Sequence, residues 1–187
     1  MIRRYRLGAL FLALGVISGS ETAWAGSNFF DQLRLGVYEH DTGLVGTQKE
    51  EGVDIALEVL SAPVTALQFL GAPRLMVGGL VNTEGQTNQI YAGFSDRWHF
   101  AEAVFSQQDA FFIGGSVAGA WHDGKTDVQG TSEEANWKSH GSHFLFRTEA
   151  EFGYRIDDVW SVGVSFSHIS NANLADPNEG SNDIGMR

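Results

Sequence analysis

The most informative part of this chain is the stretch VWSVGVSFSHISNANLADPNEGSNDIGMR, residues 159–187. The even positions from Trp160 to Phe166 are apolar, whereas serine or glycine occupies the odd positions between them. This alternation is typical of a β-strand, in which successive side chains point to opposite faces. A loop rich in Asn, Asp, Pro and Gly follows, and a second alternating run begins near Asn182. The stretch therefore predicts two strands joined by a polar loop.

His168 and Ser170 occupy the next two even positions, so they continue the apolar face of the first strand. Side chains two residues apart on a strand point the same way and lie about 6.5 Å apart. An imidazole can therefore lean toward the neighbouring hydroxyl, and an adjacent base is what activates a serine nucleophile. The pair is a candidate for nucleophilic catalysis.

Similar alternation recurs along the chain and predicts eight strands, which begin near residues 32, 53, 75, 90, 111, 144, 160 and 182. Residues 98–108, WHFAEAVFSQQ, fit either an extension of the fourth strand or a short helical turn. The Ala, Glu and Gln of that segment favour helix, so the turn is the preferred interpretation.

The polar faces of the predicted strands carry both signs of charge, on Arg34, Asp54, Glu58, Arg147, Glu149 and Glu151. Charges that faced lipid would be costly, whereas charges that face a narrow lumen can pair. We therefore predict an all-β fold, an eight-stranded antiparallel up-and-down transmembrane β-barrel whose lumen is filled by side chains. The alternative is a soluble lipocalin-like barrel, in which the apolar faces would point inward.

Residues 1–25 have the features of a secretory signal peptide. Three arginines precede an apolar run, and Ala23-Trp24-Ala25 forms a small-x-small cleavage site. An uncleaved membrane anchor is the alternative, but the run is shorter than the ~20 apolar residues that a spanning helix needs. Residues 26–187 are then a single β-barrel domain in the bacterial outer membrane. The formal net charge of -11 argues against a nucleic-acid partner.

The last predicted strand, from Asn182 to Arg187, is unusually short. A strand needs ~9 to 11 residues to cross a bilayer at a tilt. We therefore expect an incomplete eighth strand, so that either the chain is truncated or the barrel closes only near its extracellular rim.

Strand parity locates the candidate site in the membrane. If the N-terminus is periplasmic, odd-numbered strands run outward, and the seventh strand ends at the cell surface. His168 and Ser170 would then face lipid in the outer leaflet. A hydrolytic pair at this place would meet membrane lipid, above all lipopolysaccharide.

The run SHISNANLADPNEG, residues 167–180, resembles the outer-membrane lipid A 3-O-deacylases, also described as acyloxyacyl hydrolases. Further similarity lies in GVYEHD, EGVDIALEVL, IYAGF and FRTEAEFGYRIDDVWSVGVSFSHISNANL. The resemblance implies an eight-stranded barrel that removes the acyl chain ester-linked at the 3 position of lipid A. It also implies that His168 is the base, Ser170 the nucleophile and Asn171 a contributor to the oxyanion hole.

The acidic residue that orients the histidine in this family falls on Asn182, so the chain departs from the pattern there. Asn182 shares its face with Ile184 and Met186, and its amide oxygen can accept a hydrogen bond from His168. An uncharged partner stabilises imidazolium less, so an acid at position 182 should retain or raise activity. Glu179, in the preceding loop, is a possible alternative orienting acid.

Two functions remain open from the sequence. The first is a lipid A 3-O-deacylase whose partners are lipopolysaccharide and outer-membrane lipid. The second is a non-catalytic small barrel, structural or adhesive, with a degenerate site. No cofactor or metal is expected, since the other histidines show no ligand spacing and no calcium-loop pattern is present.

Overall fold

The computed structural model describes residues 19–20 and 29–187, which contain eight antiparallel strands of six residues or more. The strands are β1 Phe30–Glu39, β2 Val53–Pro63, β3 Arg74–Asn82, β4 Gln89–Glu102, β5 Ala110–His122, β6 Phe144–Arg155, β7 Trp160–Ser170 and β8 Ser181–Met186. Each strand pairs with the next, and β8 also pairs with β1, so the sheet closes into a barrel. The predicted eight-stranded up-and-down architecture is confirmed.

Closure of the barrel depends on the short strand β8. Its ladder with β7 runs from Val164–Met186 to Ile169–Ser181, and its ladder with β1 comprises three pairs, Val37–Met186 to Glu39–Ile184. Both ladders lie toward the end of the barrel at which β7 finishes, here called the site rim. A two-residue segment, Gly19–Ser20, pairs with Ser161 and Trp160 of β7. The rest of the predicted signal peptide, residues 1–25, lies outside the described residues.

The segment that follows residue 97 corrects one prediction. Residues 98–102 extend β4 as far as Glu102 and do not form a helical turn. Trp98 pairs with Ile113 and Phe100 with Phe111, and the last two rings stack with centroids 6.3 Å apart. Cross-strand packing of aromatic side chains therefore overrides the helix propensity of the segment.

A 3-10 helix, Thr65–Leu70, lies between β2 and β3. The sequence had indicated only an irregular connection there. No helix among the described residues is long and apolar enough to cross a bilayer.

The two faces of the barrel have opposite chemistry. Outward side chains such as Val77, Ile90 and Val117 are apolar and about 60% exposed, whereas Arg34 and Glu58 point inward and are buried. This polar-inside arrangement is that of a membrane barrel and contradicts the soluble lipocalin-like alternative.

An ion-pair network fills the lumen, as the charged strand positions predicted. Glu151 accepts hydrogen bonds from Arg97 at 2.9 and 3.0 Å and from Arg187 at 2.9 Å through both carboxylate oxygens. Arg187 also donates to Glu58 at 2.9 Å. Arg147 donates to Glu149 at 2.8 Å, so buried charges of both signs are paired across several strands.

Removal of the central carboxylate should destabilise the barrel. We expect Glu151→Leu to lower the free energy of unfolding by about 3 to 5 kcal/mol, because Arg97 and Arg187 would lose their shared buried partner. Urea unfolding in detergent micelles, followed by tryptophan fluorescence, measures the change. The control is Phe152→Leu on the lipid-facing side, which should lower the free energy of unfolding by about 1.5 kcal/mol or less. Equal losses in both variants would show that the lumen network does not stabilise the barrel.

Candidate active site

His168 and Ser170 lie at the end of β7 on its outward face, and both are half-buried. The strand register places Thr148 of β6 and Asn182 of β8 beside His168, and Phe146 of β6 beside Ser170. The shared face that the alternation predicted is thus present. Among the residues that the structure describes, no hydrogen bond joins His168 to Ser170 in this state.

Asn182 lies directly opposite His168 on the neighbouring strand. Its Oδ1 is 2.8 Å from His168 Nδ1, and its Nδ2 donates to the carbonyl oxygen of Val45 at 2.5 Å. Val45 belongs to the loop of residues 40–52, here called L1, which covers Asn182 so that it is 0% exposed. The backbone N–H of Thr42 also donates to the Asn182 carbonyl at 2.7 Å, so L1 is tied to β8 at this residue.

Glu179 is bound elsewhere. Its carboxylate accepts hydrogen bonds from Lys49 Nζ at 2.7 and 2.8 Å and from the backbone N–H of Ser139 at 2.8 Å. Burial raises the pKa of Glu179, but these hydrogen bonds outweigh burial and hold the pKa below its usual value. The structure therefore brings Asn182, and not Glu179, to His168.

Asn171 is buried. Its Nδ2 lies 2.9 to 3.0 Å from the carbonyl oxygens of His140, Ala175 and Pro177, and its backbone N–H donates to Asn178 Oδ1 at 3.0 Å. These contacts organise the loop of residues 171–180, here called L4. The oxyanion role of Asn171 stays a prediction, and in this state both of its N–H groups are engaged within the loops.

An apolar groove runs along the outer wall from Phe146, the cross-strand neighbour of Ser170. The register aligns Ser170 with Phe146, then with Gly119, Ala92 and Val77, so one outward row crosses five strands. Gly119 and Ala92 leave a groove of about 740 Å³, lined by Val77, Ile90, Tyr91, Ala92, Gly119, Ala120, Trp121, Ser142, Phe144, Leu145, Phe146, Asn171, Leu174 and Ala175.

The direction of this groove follows from the strand ends. Ser170 is the last residue of β7, whereas Val77 lies near the middle of β3. The groove therefore descends from the site rim toward the middle of the apolar belt. Small residues on an outward face were visible in the sequence, but the alignment of Gly119 and Ala92 with Ser170 depends on the register of three strand pairs.

A second buried cluster lies at the site rim on the lumen side. His40 bonds through Nδ1 to Asp54 at 2.8 Å and through Nε2 to Glu50 at 2.9 Å, and Asp183 Oδ1 is 3.7 Å away. Asp183 also accepts a hydrogen bond from Ser167 at 3.2 Å, between the strands that carry His168 and Asn182. The cluster thus supports the site strands from inside.

The same cluster contains the residues that could hold a metal ion. His40, Asp54 and Asp183 each offer one ligand atom, and these atoms lie within 4.8 Å of one another. Both ring nitrogens of His40 are already hydrogen-bonded to carboxylates, which is the arrangement of an imidazolium ion pair. Sequence spacing missed this group because its members come from L1 and two separate strands.

Comparison with known proteins relates this barrel to a characterised group. The family model described as lipid A 3-O-deacylase (PagL) matches residues 68–187. The solved structure described as the outer membrane enzyme PagL superposes with a TM-score of 0.57 over 81% of this chain and 94% of that chain. Its sequence identity is 17%, so this likeness shows a shared fold. No curated protein matches the chain significantly in sequence.

The His40 cluster should make stability depend on pH. Burial alone would lower the pKa of His40, but hydrogen bonds to Asp54 and Glu50 outweigh it and raise the pKa to about 10. A raised folded-state pKa gives stabilisation that is complete below about pH 6.5 and is lost as pH rises through about 10. We expect His40→Gln to lower the free energy of unfolding by about 3 to 5 kcal/mol at pH 7.

The measurement is urea unfolding of both proteins in micelles at pH 7 and pH 11. The difference between wild type and His40→Gln should shrink at the higher pH, because the wild-type histidine is then neutral. A difference that is the same at both pH values would contradict a charged His40.

Proposed function

Since the chain belongs to the lipid A 3-O-deacylase (PagL) family, we propose that it is a serine esterase that removes the ester-linked acyl chain at the 3 position of lipid A. The observation that carries this proposal is the placement of His168 and Ser170 on the outward face of the rim. A lipid in the outer leaflet can reach both side chains there without entering the barrel. The resemblance found in residues 167–180 agrees with the family match.

The proposed reaction is a two-step acyl transfer. Ser170 Oγ attacks the ester carbonyl carbon while His168 takes the hydroxyl proton, and the tetrahedral intermediate then collapses. The sugar 3-oxygen leaves and receives that proton from His168. Water, activated by His168, hydrolyses the acyl-Ser170 ester and releases a fatty acid. Ser170 and His168 share one face, and their hydrogen bond must form when substrate binds, since catalytic hydrogen bonds often tighten only in the substrate complex.

An oxyanion hole must stabilise the tetrahedral intermediate. Asn171 is the proposed contributor from the family resemblance. Its N–H groups are bound to L4 and to His140 in this state. The role therefore requires L4 to rearrange when substrate binds.

The groove, whose lining includes Phe146 beside Ser170, suits the acyl part of the substrate. It is lined mostly by apolar side chains and descends into the hydrocarbon region, as an acyl chain does from its ester. Its volume of about 740 Å³ lies within the usual range of small-molecule sites. We propose that the scissile acyl chain lies in this groove.

We also propose that residues 1–25 direct export of the barrel domain, residues 26–187, to the outer membrane.

Loss of either catalytic side chain should abolish deacylation. We expect Ser170→Ala and His168→Ala each to leave lipid A with its 3-linked acyl chain, since the nucleophile or its base is missing. Mass spectrometry of lipid A from cells that express each variant measures this. Ser165→Ala, on the lumen side of the same strand, is the control and should retain activity. An unchanged lipid A profile with the wild-type protein would favour the non-catalytic barrel instead.

The groove should set the preference for acyl-chain length. Gly119→Leu fills the floor of the groove, where no atom lies within 4 Å of an added Cβ. We expect its activity toward a long 3-linked chain to fall about tenfold relative to a short one. This is the effect expected when about two methylene groups of the acyl chain are no longer buried in the groove. Assays with lipid A substrates of two chain lengths test this. Val117→Leu, outward on the same strand but outside the groove, is the control, and equal effects would exclude the groove as the acyl site.

A further inference from the structure

We propose that position 182 requires an amide, because the Val45 carbonyl of L1 orients Asn182 and thereby fixes which nitrogen of His168 is the base. This inference rests on the proposed esterase function and concerns a positioning residue of that site. The sequence had suggested that Asn182 weakens the site. The contacts of L1 lead to the opposite expectation.

The Val45 carbonyl oxygen can only accept a hydrogen bond. The group of Asn182 that lies 2.5 Å from it must therefore be the N–H₂ end of the amide. The other end, Oδ1, is then the atom that lies 2.8 Å from His168 Nδ1. The side-chain amide could otherwise adopt two orientations, which differ by exchange of its oxygen and nitrogen. The Val45 carbonyl thus selects one of them.

The orientation of Asn182 fixes the tautomer of His168. Since Oδ1 accepts, the neutral imidazole must carry its proton on Nδ1, and Nε2 keeps its lone pair. No other described residue forms a hydrogen bond to this ring. Gly180 keeps the Nε2 edge open, because an added Cβ there would lie 2.7 Å from His168 Cε1. Nε2 is therefore the atom available to take the Ser170 proton.

A carboxylate at position 182 would not fit this environment. One of its oxygens would face the Val45 carbonyl oxygen, so two acceptors would meet without a proton between them. Asn182 is 0% exposed, so water cannot relieve the repulsion. In other serine hydrolases an acid orients the histidine, but at position 182 an acid would displace L1. The amide of Asn182 keeps the hydrogen bond to His168 without repelling the Val45 carbonyl oxygen.

L1 is held firmly enough for its carbonyl to act in this way. Asp41 Oδ2 accepts from the backbone N–H groups of Lys49 and Glu50 at 2.8 and 3.2 Å. Lys138 Nζ lies 3.2 Å from Asp41 Oδ1, and Lys49 is bound to Glu179 of L4. The loop is therefore fixed at both ends of the segment that contains Val45.

The first test compares wild type with Asn182→Asp, which keeps the shape of the side chain and replaces its donor by an oxygen. We expect deacylation to fall on the order of 10²-fold or more, because repulsion between the new carboxylate oxygen and the Val45 carbonyl displaces the group that orients His168. A retained heat-modifiable barrel shows that the variant folds. Equal or higher activity in Asn182→Asp would overturn the proposal.

A second readout does not depend on activity. The ¹⁵N chemical shifts of the His168 ring, measured in detergent micelles, report its tautomer. The His168 signals are assigned as those that are missing from the spectrum of His168→Gln. We expect a protonated Nδ1 in wild type and its loss in Asn182→Leu. A wild-type ring protonated on Nε2 would overturn the proposal. A wild-type protein that has the Nδ1–H tautomer but does not deacylate lipid A would contradict the proposed function and support this inference.

A matched pair of glycines tests the part played by L1. Gly46 follows Val45 with φ +98°, and Gly130, in the loop of residues 123–143, has φ +71°. No atom lies within 4 Å of a Cβ added at either glycine, so Ala at each position strains only the local backbone. We expect Gly46→Ala to lower deacylation about tenfold or more by shifting the Val45 carbonyl. Gly130→Ala should retain activity, and equal effects in the two variants would count against the role of L1.

Discussion

Buried ion pairs in the lumen set the orientation of the charged strands and, through it, the chemistry of both barrel surfaces. Glu151 joins Arg97 and Arg187, and Arg147 pairs with Glu149, in a space from which water is largely excluded. Charges that were not paired there would destabilise the barrel severely. Pairing therefore fixes the charged faces of β1, β2, β4 and β6 inward, and the alternate faces of these strands must then be apolar and face lipid.

The location of the candidate site follows from that constraint. Ser165 and Ser167 of β7 point into the lumen, so His168 and Ser170 must point outward. Ordinary hydrolases enclose their serine in a pocket, whereas this pair lies on the outside of a barrel wall. The same outward face supplies the groove over Gly119 and Ala92, so the reacting groups and the apolar channel share one surface.

Charge pairs at the rim connect the loops to the site. Glu179 joins L4 to L1 through Lys49, and it also binds the backbone of Ser139. His40, at the start of L1, is bound to carboxylates of β2 and L1 itself. These contacts hold L1 against β8, where the Val45 carbonyl reaches Asn182. A loop that appears in the sequence as a polar connection is thus part of the arrangement around His168.

The features that depend on a period of two could be predicted from the amino-acid sequence. Alternation predicted the eight strands, the inward charges, and the common face of His168, Ser170 and Asn182, because the pleat of a strand sends alternate side chains to opposite sides. A recognisable motif in residues 167–180 predicted the family. These signals are local, so no knowledge of distant contacts was needed.

Contacts between residues distant in the sequence became visible in the folded barrel alone. It gave Asn182 the Val45 carbonyl as a partner, sent Glu179 to Lys49, and assembled His40 with Asp54 and Asp183. It also aligned Gly119 with Ser170. Each of these contacts depends on strand register or on the path of a loop, and both are set by the combined packing of many strands. Residues 98–102 likewise could not be predicted from local sequence, because pairing with β5 outweighs their helix propensity.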